Sequence, residues 1–347
     1  METERNYLQK QNQMMVTKMI IIPKKKKEKK INCDLEKIYY IFIVLFILFI
    51  CIIISINIKN NISLKIIKIT NETNTFKKDK TYNDTLCLLV KNKLQTRTYP
   101  LDFANELIFF TQLIECQIPF SFIRFGDGES IIMKGEKIHS GQDSWNWNPD
   151  NKKFRESLIK ASSICINDNN FIGLPCKNWI HVSKSILSFS NCTSSKYMTF
   201  ATLFINKNFE YFKEWIIRFI NSSNRWKIIL VANSIINKNI TWAYKFYPVP
   251  DHIVENFDNI SISLLPELSN LAKQNNFIFF VSAGPAANII ISYLVEINRN
   301  NIYIDIGSSI EFITKGYSTR YYDKNGGESK KGCESFIVEN KKITYMR

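Results

Sequence analysis

Short apolar runs of strand length alternate with helix-like segments from residue 101 to residue 306 of this chain. The strand-like runs are 120–125, 163–166, 171–174, 197–203, 227–232, 277–282 and 302–306. Segments with apolar residues at helical spacing lie between them, at 101–116, 151–161, 179–187, 209–220, 264–274 and 285–297. This alternation is typical of a sheet whose parallel strands are joined by helices. The sequence therefore predicts an α/β domain with a mainly parallel sheet flanked by helices, at residues 99–347.

A long apolar segment precedes that domain. Residues 38–56 are apolar throughout except for one serine, which is long enough to cross the hydrocarbon core of a bilayer as a helix. Six lysines at 24–30 precede it, so the positive-inside tendency places the N-terminus in the cytosol. A cleaved signal peptide is disfavoured because the apolar stretch is too long and too far from Met1. We expect a basic cytosolic tail at 1–37, a transmembrane signal-anchor helix at 38–58 and a polar stem at 59–98.

This topology predicts a single-pass type II membrane protein whose domain is lumenal or extracellular, in the ER, the Golgi or a viral membrane. The net charge is +15, and the first 37 residues supply five of those charges, with ten Lys or Arg against five Asp or Glu. The chain shows no helix-turn-helix pattern, zinc-ligand spacing or basic strand interleaved with aromatics. Nucleic acid is therefore not an expected partner.

Six of the eight cysteines would be lumenal. They are Cys87, Cys116, Cys165, Cys176, Cys192 and Cys333. Fifteen complete pairings are possible, so their connectivity is left open, and Cys165 in an apolar run is expected in the core rather than in a bridge. Asn-x-Ser/Thr patterns, which lumenal glycosylation requires, begin at Asn61, Asn71, Asn83, Asn191, Asn221, Asn239 and Asn259.

Two carboxylates follow the strand-like run at 120–125. Gly126 and Gly128 flank Asp127, and they predict a tight turn that holds Asp127 close to Glu129. At the carboxyl end of a strand, such a pair of oxygen ligands suits Mg²⁺ or Mn²⁺ on a diphosphate. The alternative is a turn with solvated charges.

The run Arg124-Phe-Gly-Asp-Gly-Glu129 resembles the signature of the GT-D fold glycosyltransferase domain, in which the Asp-x-Glu pair serves metal-assisted binding of a nucleotide sugar. A second block at 277–294, a strand, a Gly-Pro turn and a helix, is similar to that family as well, as is the Asp-x-Gly strand at 302–308. The resemblance covers roughly residues 101–322. It implies a Rossmann-like fold of GT-D type. Ser308 and Ser309 depart from bacterial members, which often carry His there.

The resemblance implies a set of site residues. The expected catalytic residues are Asp127, Glu129, Asp305 and Glu311, with Asp127 and Glu129 as metal ligands for Mn²⁺ or Mg²⁺. Donor binding is expected at Arg124, Gly126, Gly128, Asn233, Ser282, Gly284, Pro285 and Arg320. Acceptor binding is expected at His139, Gln142, Trp145 and Trp147. Each has a purely structural alternative: a β-to-α turn at Gly284, a helix cap at Asn233, surface charges at Glu311 and Arg320, and loop packing for the tryptophans.

The resulting hypothesis is a metal-dependent hexosyltransferase. It would move a hexose from a nucleotide diphosphate sugar, with a UDP-sugar favoured, to a glycan or glycoprotein acceptor. Two alternatives stay open: a catalytically silent glycan-binding or structural membrane protein on the same scaffold, and a Rossmann-like methyltransferase. Kinase and hydrolase motifs are absent, because the sequence has no P-loop lysine motif, nucleophile elbow or His-Glu-x-x-His.

Overall fold

The computed structural model describes residues 80–139, 146–222, 226–233, 240–316 and 332–346. Lys80–Arg347 forms one compact unit. The predicted tail and anchor lie outside the described residues. Within the ranges that are described, no helix is both long and apolar enough to traverse a bilayer.

A seven-stranded sheet forms the centre of the domain. Its strands lie in the order β5-β4-β1-β9-β8-β6-β7, and every pairing between neighbours is parallel. The strands are β1 (Phe120–Arg124), β4 (Asn170–Leu174), β5 (Met198–Phe200), β6 (Lys227–Asn233), β7 (Lys245–Val249), β8 (Phe277–Val281) and β9 (Ile302–Asp305). Two antiparallel pairs accompany it: β2 (Ile138–His139) with β3 (Asn146–Trp147), and β10 (Phe336–Glu339) with β11 (Lys342–Tyr345).

Helices flank this sheet and connect its strands. They are α1 (Lys80–Thr96), α2 (Phe103–Glu115), α3 (Asp127–Lys134), α4 (Lys152–Ala161), α5 (Ile180–Phe189), α6 (Phe209–Ser222), α7 (Phe257–Ala272), α8 (Ala286–Ile297) and α9 (Glu311–Thr314). Central strands such as β4 and β8 are buried along their whole length, as expected where helices cover both faces of a parallel sheet. The predicted α/β architecture with a parallel sheet is confirmed.

Two local predictions were wrong. The expected strand at 163–166 is a 3₁₀ turn, Ile164–Ile166, which leads into β4. The sequence also gave no indication of β7, which contains Pro248. β7 is the edge strand of the sheet, where a proline is tolerated because one side of the strand makes no ladder hydrogen bonds.

The compact unit begins before residue 99, where the sequence predicts the end of the stem. Helix α1 packs against α2 through Val90 and Leu94, which are 3% and 4% exposed. Leu86, Val90 and Leu94 recur every four residues and therefore lie on one face of the helix. Residues 80–96 therefore belong to the domain and not to a solvated stem.

Three disulfides join the six cysteines of the domain. They are Cys87–Cys116, Cys165–Cys192 and Cys176–Cys333, with Cα atoms 5.2, 5.9 and 5.0 Å apart. Cys165 is buried as expected, but it forms a bridge, so the core-only prediction was wrong. Cys87–Cys116 ties α1 to the end of α2, and Cys176–Cys333 ties the chain after β4 to the segment before β10.

Candidate functional site

The first and last strands of the sheet lie side by side at its centre. Phe122 of β1 pairs with Ile304 of β9, so the two strands end at the same edge of the sheet. Arg124 ends β1 and Asp305 ends β9. Ligands of open α/β sheets bind outside the carboxyl ends of the strands. The candidate site is therefore built around these two residues.

Arg124 and Asp305 form a largely buried ion pair. Arg124 Nε lies 3.2 Å from Asp305 Oδ2, and Arg124 Nη2 donates to Asp305 Oδ1 at 3.3 Å. The side chain of Asp305 is 5% exposed and that of Arg124 is 23% exposed. Burial raises the pKa of Asp305, and the nearby Arg124 guanidinium opposes that rise. The carboxylate in the apolar strand thus has the partner that its burial requires, and the side chain of that partner is partly exposed.

Gly307 shapes the other side of this pair. Its amide donates to Asp305 Oδ1 at 3.0 Å, and its φ of +49° is a left-handed conformation that favours glycine. A Cβ at this position would lie 2.6 Å from Arg124 Cζ and would overlap the guanidinium nitrogens. The Asp-x-Gly pattern therefore serves two purposes: the Asp binds the arginine, and the Gly leaves room for it.

Asn288 fixes the backbone of Arg124, and the sequence analysis missed it. Asn288 is fully buried in the first turn of α8. Its Nδ2 donates to the carbonyl oxygen of Arg124 at 2.7 Å, and its Oδ1 accepts from the Arg124 amide at 3.3 Å. The only signal in the sequence is an amide side chain inside the apolar stretch Ala286-Ala-Asn-Ile-Ile, which burial penalises unless it is hydrogen-bonded.

The two carboxylates that follow β1 have different surroundings. Asp127 and Glu129 are the first and third residues of α3, so their side chains point about 200° apart around the helix axis. The predicted tight turn is therefore replaced by a first helical turn, with Gly128 between the carboxylates. Glu129 Oε2 accepts from the Gly126 amide at 2.7 Å in a capping box. Asp127 is exposed.

The environment of Glu129 raises its pKa to about 7. Burial is the main cause, because it penalises the charged carboxylate. The hydrogen bond from Gly126 and the charge of Arg124 oppose the rise, whereas the negative charge of Asp305 adds to it. Glu129 is thus electrostatically coupled to the central ion pair.

The described residues suit a divalent cation that is shared with substrate phosphates. Among them, no group of three or more His, Cys, Asp or Glu residues is placed to enclose a metal ion. Mg²⁺ commonly binds through one or two carboxylates together with substrate phosphates and water. Exposed Asp127 suits that arrangement, whereas the carboxylate of Glu129 already caps the helix.

The Gly-Pro turn lies at the same edge of the sheet. Strand β8 ends at Val281, and the Ser282 amide donates to the carbonyl of Val231 in β6 at 2.8 Å. Gly284 is exposed with a φ of +53°, and its carbonyl accepts from Ala287 at 2.9 Å. Pro285 stands one position before the first helical residue of α8, not in it. Asn233 ends β6 and is half-buried at the same edge.

The other predicted residues have different surroundings or lie outside the described part of the chain. Glu311 begins α9 and receives a hydrogen bond from Lys315 Nζ at 3.1 Å. Trp147 is 2% exposed, so the interpretation as an acceptor platform was wrong; it is a core residue. The backbone of His139 belongs to β2. Gln142, Trp145 and Arg320 lie outside the described residues.

Comparison with known proteins identifies a family for this chain. A family model described as a GT-D fold-like domain matches residues 107–313. The chain is also similar to a solved structure of the highly conserved domain of unknown function 1792, described as having a distinct glycosyltransferase fold. Identity is 17% over 70% of this chain and 94% of that chain, with a TM-score of 0.42. A selenomethionine-substituted structure of that domain gives 18% identity over the same shares, with a TM-score of 0.40.

No curated protein matches the sequence. The range 107–313 covers more than half of the chain and contains all seven strands of the central sheet. It also contains Arg124, Asp127, Glu129, Asn288 and Asp305. The chain therefore belongs to the GT-D-like family, which supports a glycosyltransferase at the level of the family.

Proposed function

We propose that this protein is a glycosyltransferase that moves a hexose from a nucleotide diphosphate sugar to a hydroxyl group of a glycan or glycoprotein. The observation that carries the proposal is the exposed carboxylate of Asp127 beside the buried Arg124–Asp305 pair, at the carboxyl edge of the sheet. UDP-sugars are the first donors to test.

Asp127 is the proposed metal and diphosphate residue. A divalent cation, Mn²⁺ or Mg²⁺, would neutralise the charge that develops on the leaving diphosphate. Asp127 would hold it together with the donor phosphates. Glu129 keeps the Gly126 amide in place, so that α3 begins in a defined position directly after β1.

Arg124 and the start of α8 supply the positive side of the site. The partly exposed guanidinium of Arg124 can donate to a phosphate oxygen from the face that Asp305 leaves open. Backbone amides at a helix start are suited to a second phosphate oxygen. Gly284 leaves the approach to α8 free of a side chain. Asn288 connects Arg124 to the start of α8, because it lies on α8 and donates a hydrogen bond to the backbone carbonyl of Arg124.

The proposed location is the lumen of the secretory pathway or the outside of a membrane. Three disulfides in one domain are typical of proteins that fold in an oxidising compartment. Asn191, Asn221 and Asn259 of the glycosylation patterns are exposed. The apolar segment at 38–58 would anchor the chain and leave the domain on the far side of the membrane from the N-terminus.

Metal-dependent hydrolysis of a sugar-nucleotide panel by the full-length protein tests this function. We expect hydrolysis of at least one donor with Mn²⁺ or Mg²⁺, and its loss by at least about 100-fold in Asp127→Asn, since the metal would lose its protein ligand. Asp258→Asn is the matched control, because Asp258 also lies in the first turn of a helix. If the parent hydrolyses no donor, or if Asp127→Asn acts like the control, the catalytic proposal fails. The alternative of a catalytically silent protein on the same scaffold is then favoured.

A further inference from the structure

One tryptophan of the described domain is exposed. Trp147, Trp215 and Trp226 are at most 8% exposed, and Trp242 packs partly buried against the core. Trp179, by contrast, is 51% exposed. An exposed tryptophan leaves a large apolar surface in contact with water, which is unfavourable. Such residues are enriched where a ligand covers them.

The segment that carries Trp179 is held in place. Cys176 is bonded to Cys333, and Lys177 Nζ lies 2.8 Å from Glu334 Oε2. The Trp179 amide donates to the Cys176 carbonyl at 2.8 Å, which closes the 3₁₀ turn before α5. A ring on such a fixed backbone loses little conformational entropy when a ligand binds.

Trp179 lies at the edge of the sheet that carries the candidate site. Strand β4 is the neighbour of β1, with Gly173 opposite Arg124, and the chain reaches Trp179 five residues after β4 ends. Helix α5 begins directly after Trp179 and packs against α3, which begins at Asp127. Two helices that follow adjacent parallel strands and pack against each other begin at the same edge of the sheet. Their axes are about 10 Å apart. Trp179 is therefore within the reach of a substrate that also occupies the Asp127 site.

Two polar residues are close to Trp179 in the sequence, and the ring of one of them lies near the indole. The imidazole of His181 is tilted 37° to the Trp179 ring, with centroids 5.8 Å apart, and it is exposed. Asn178 is also exposed. An aromatic face bordered by an imidazole and an amide can bind the apolar face of a sugar ring and donate or accept hydrogen bonds at its hydroxyls.

We propose that Trp179, His181 and Asn178 form a subsite for a sugar ring of the acceptor glycan. The role of this glycan as an acceptor rests on the proposed function, whereas the binding of a glycan at this subsite does not. A neutral glycan fits better than an anionic lipid surface, because the neighbouring Lys177 is already paired with Glu334 and adds no net positive charge. The subsite takes the place of the tryptophan platform that the sequence suggested at Trp145 and Trp147.

Glycan binding without catalysis tests the subsite. The full-length protein, in a detergent without a sugar headgroup, is applied to a glycan array in EDTA and without donor. The best-bound glycan is then measured by calorimetry against Trp179→Ala, Trp179→Phe and the control Tyr244→Ala. Tyr244 is 59% exposed and precedes β7, at the opposite edge of the sheet.

We expect Trp179→Ala to weaken binding by at least about tenfold, Trp179→Phe to weaken it less, and Tyr244→Ala to bind like the parent. Thermal unfolding of each variant separates lost binding from lost folding. A parent that binds no glycan, or a Trp179→Ala variant that binds as well as the parent, overturns the subsite. Trp179-dependent binding to phosphatidylcholine and phosphatidylserine vesicles with unchanged glycan binding also overturns it, in favour of a membrane contact.

The two proposals fail separately. Asp127→Asn should lose donor hydrolysis and keep glycan binding, since the carboxylate faces the donor. A parent that binds glycan through Trp179 but hydrolyses no donor would contradict the proposed enzyme and leave the subsite in place, as in a glycan-binding scaffold.

Discussion

Two largely buried arginine–carboxylate pairs lie in different parts of the domain, and they are built differently. Beside the edge strand β5, Arg97 and Glu106 are 7% and 0% exposed and form two parallel hydrogen bonds of 2.6 and 2.8 Å. Arg97 also donates to the carbonyls of Lys196 and Met198. At the carboxyl edge, the contacts between Arg124 and Asp305 are longer, at 3.2 and 3.3 Å, and the guanidinium is partly exposed.

The difference separates a structural pair from a pair that faces a site. Every side of the Arg97 guanidinium is occupied, since it also lies over the rings of Phe109 and Phe171 at 5.5 and 5.4 Å. The side chain of Arg124 is 23% exposed, and Arg124 lies three residues before the exposed Asp127. We call Arg97–Glu106 the closed pair and Arg124–Asp305 the open pair. The closed pair can only stabilise the fold, whereas the open pair can exchange part of its contacts for a ligand.

The largest expected effect on stability is at the closed pair. Glu106→Ala would leave the Arg97 guanidinium buried without its charge partner, and we expect a loss of about 4 kcal/mol in the free energy of unfolding. Urea unfolding measures this loss. Glu296→Ala is the control, because its pair with Lys160 is exposed and should contribute less than about 1 kcal/mol. Similar losses in the two variants would contradict the structural role of the closed pair.

A smaller stability effect and a larger functional effect are expected at the open pair. Asp305→Asn keeps the size of the side chain and an acceptor for Gly307, and Arg124 can recover contact with water, so we expect a loss of about 2 kcal/mol. Donor hydrolysis should fall by at least about tenfold, because the guanidinium loses the partner that orients it.

Parallel measurements of unfolding and turnover in Asp305→Asn and Glu106→Ala test this contrast. If Asp305→Asn destabilises the protein as much as Glu106→Ala while turnover is unchanged, the distinction between the two pairs is wrong.

The sequence predicted the parallel sheet except for β7, and it showed the local pattern at the ends of β1 and β9. Asp305 was noticeable as a carboxylate in an apolar strand, and Arg124 lies in a strand followed by two glycines. Their contact joins residues 181 positions apart, and only the strand order places them together. Asn288 was missed for the same reason, since its partner is the backbone of β1 and not a neighbour in sequence.

Other features were missed because polar residues obscured an apolar pattern. Glu106 interrupts the apolar face of α2, and its partner Arg97 lies in the segment that the sequence assigns to the stem. The burial of Trp147 and the exposure of Trp179 could not be predicted from the sequence, because a tryptophan in a polar loop can be either buried or exposed. Its environment depends on which elements pack over the loop, and the spacing of residues along the chain does not contain that information.

The smallest expected effect is a pH dependence at Glu129. Its pKa is raised from 4.5 to about 7 in the folded protein, so the folded state binds one more proton than the unfolded state between these two pH values. Glu129 therefore destabilises the fold progressively as the pH rises from about 4.5 to about 7, and this cost stays constant above pH 7. Glu129→Gln keeps an oxygen acceptor for the Gly126 amide but does not ionise.

We expect the stability of Glu129→Gln relative to the parent to increase over that pH range. Urea unfolding in EDTA at pH 4.5, 6 and 7.5 measures the difference, and Glu136→Gln, on an exposed residue just after α3, controls for the removal of a carboxylate. The charge of Arg124 and the Gly126 hydrogen bond limit the size of the effect, and the charge of Asp305 increases it. The difference that Glu129→Gln makes should therefore depend less on pH when it is measured in an Asp305→Asn background, because the ionised Glu129 carboxylate of that background no longer faces a second negative charge. A relative stability that falls as the pH rises would contradict the raised pKa of Glu129 and its coupling to the Arg124–Asp305 pair.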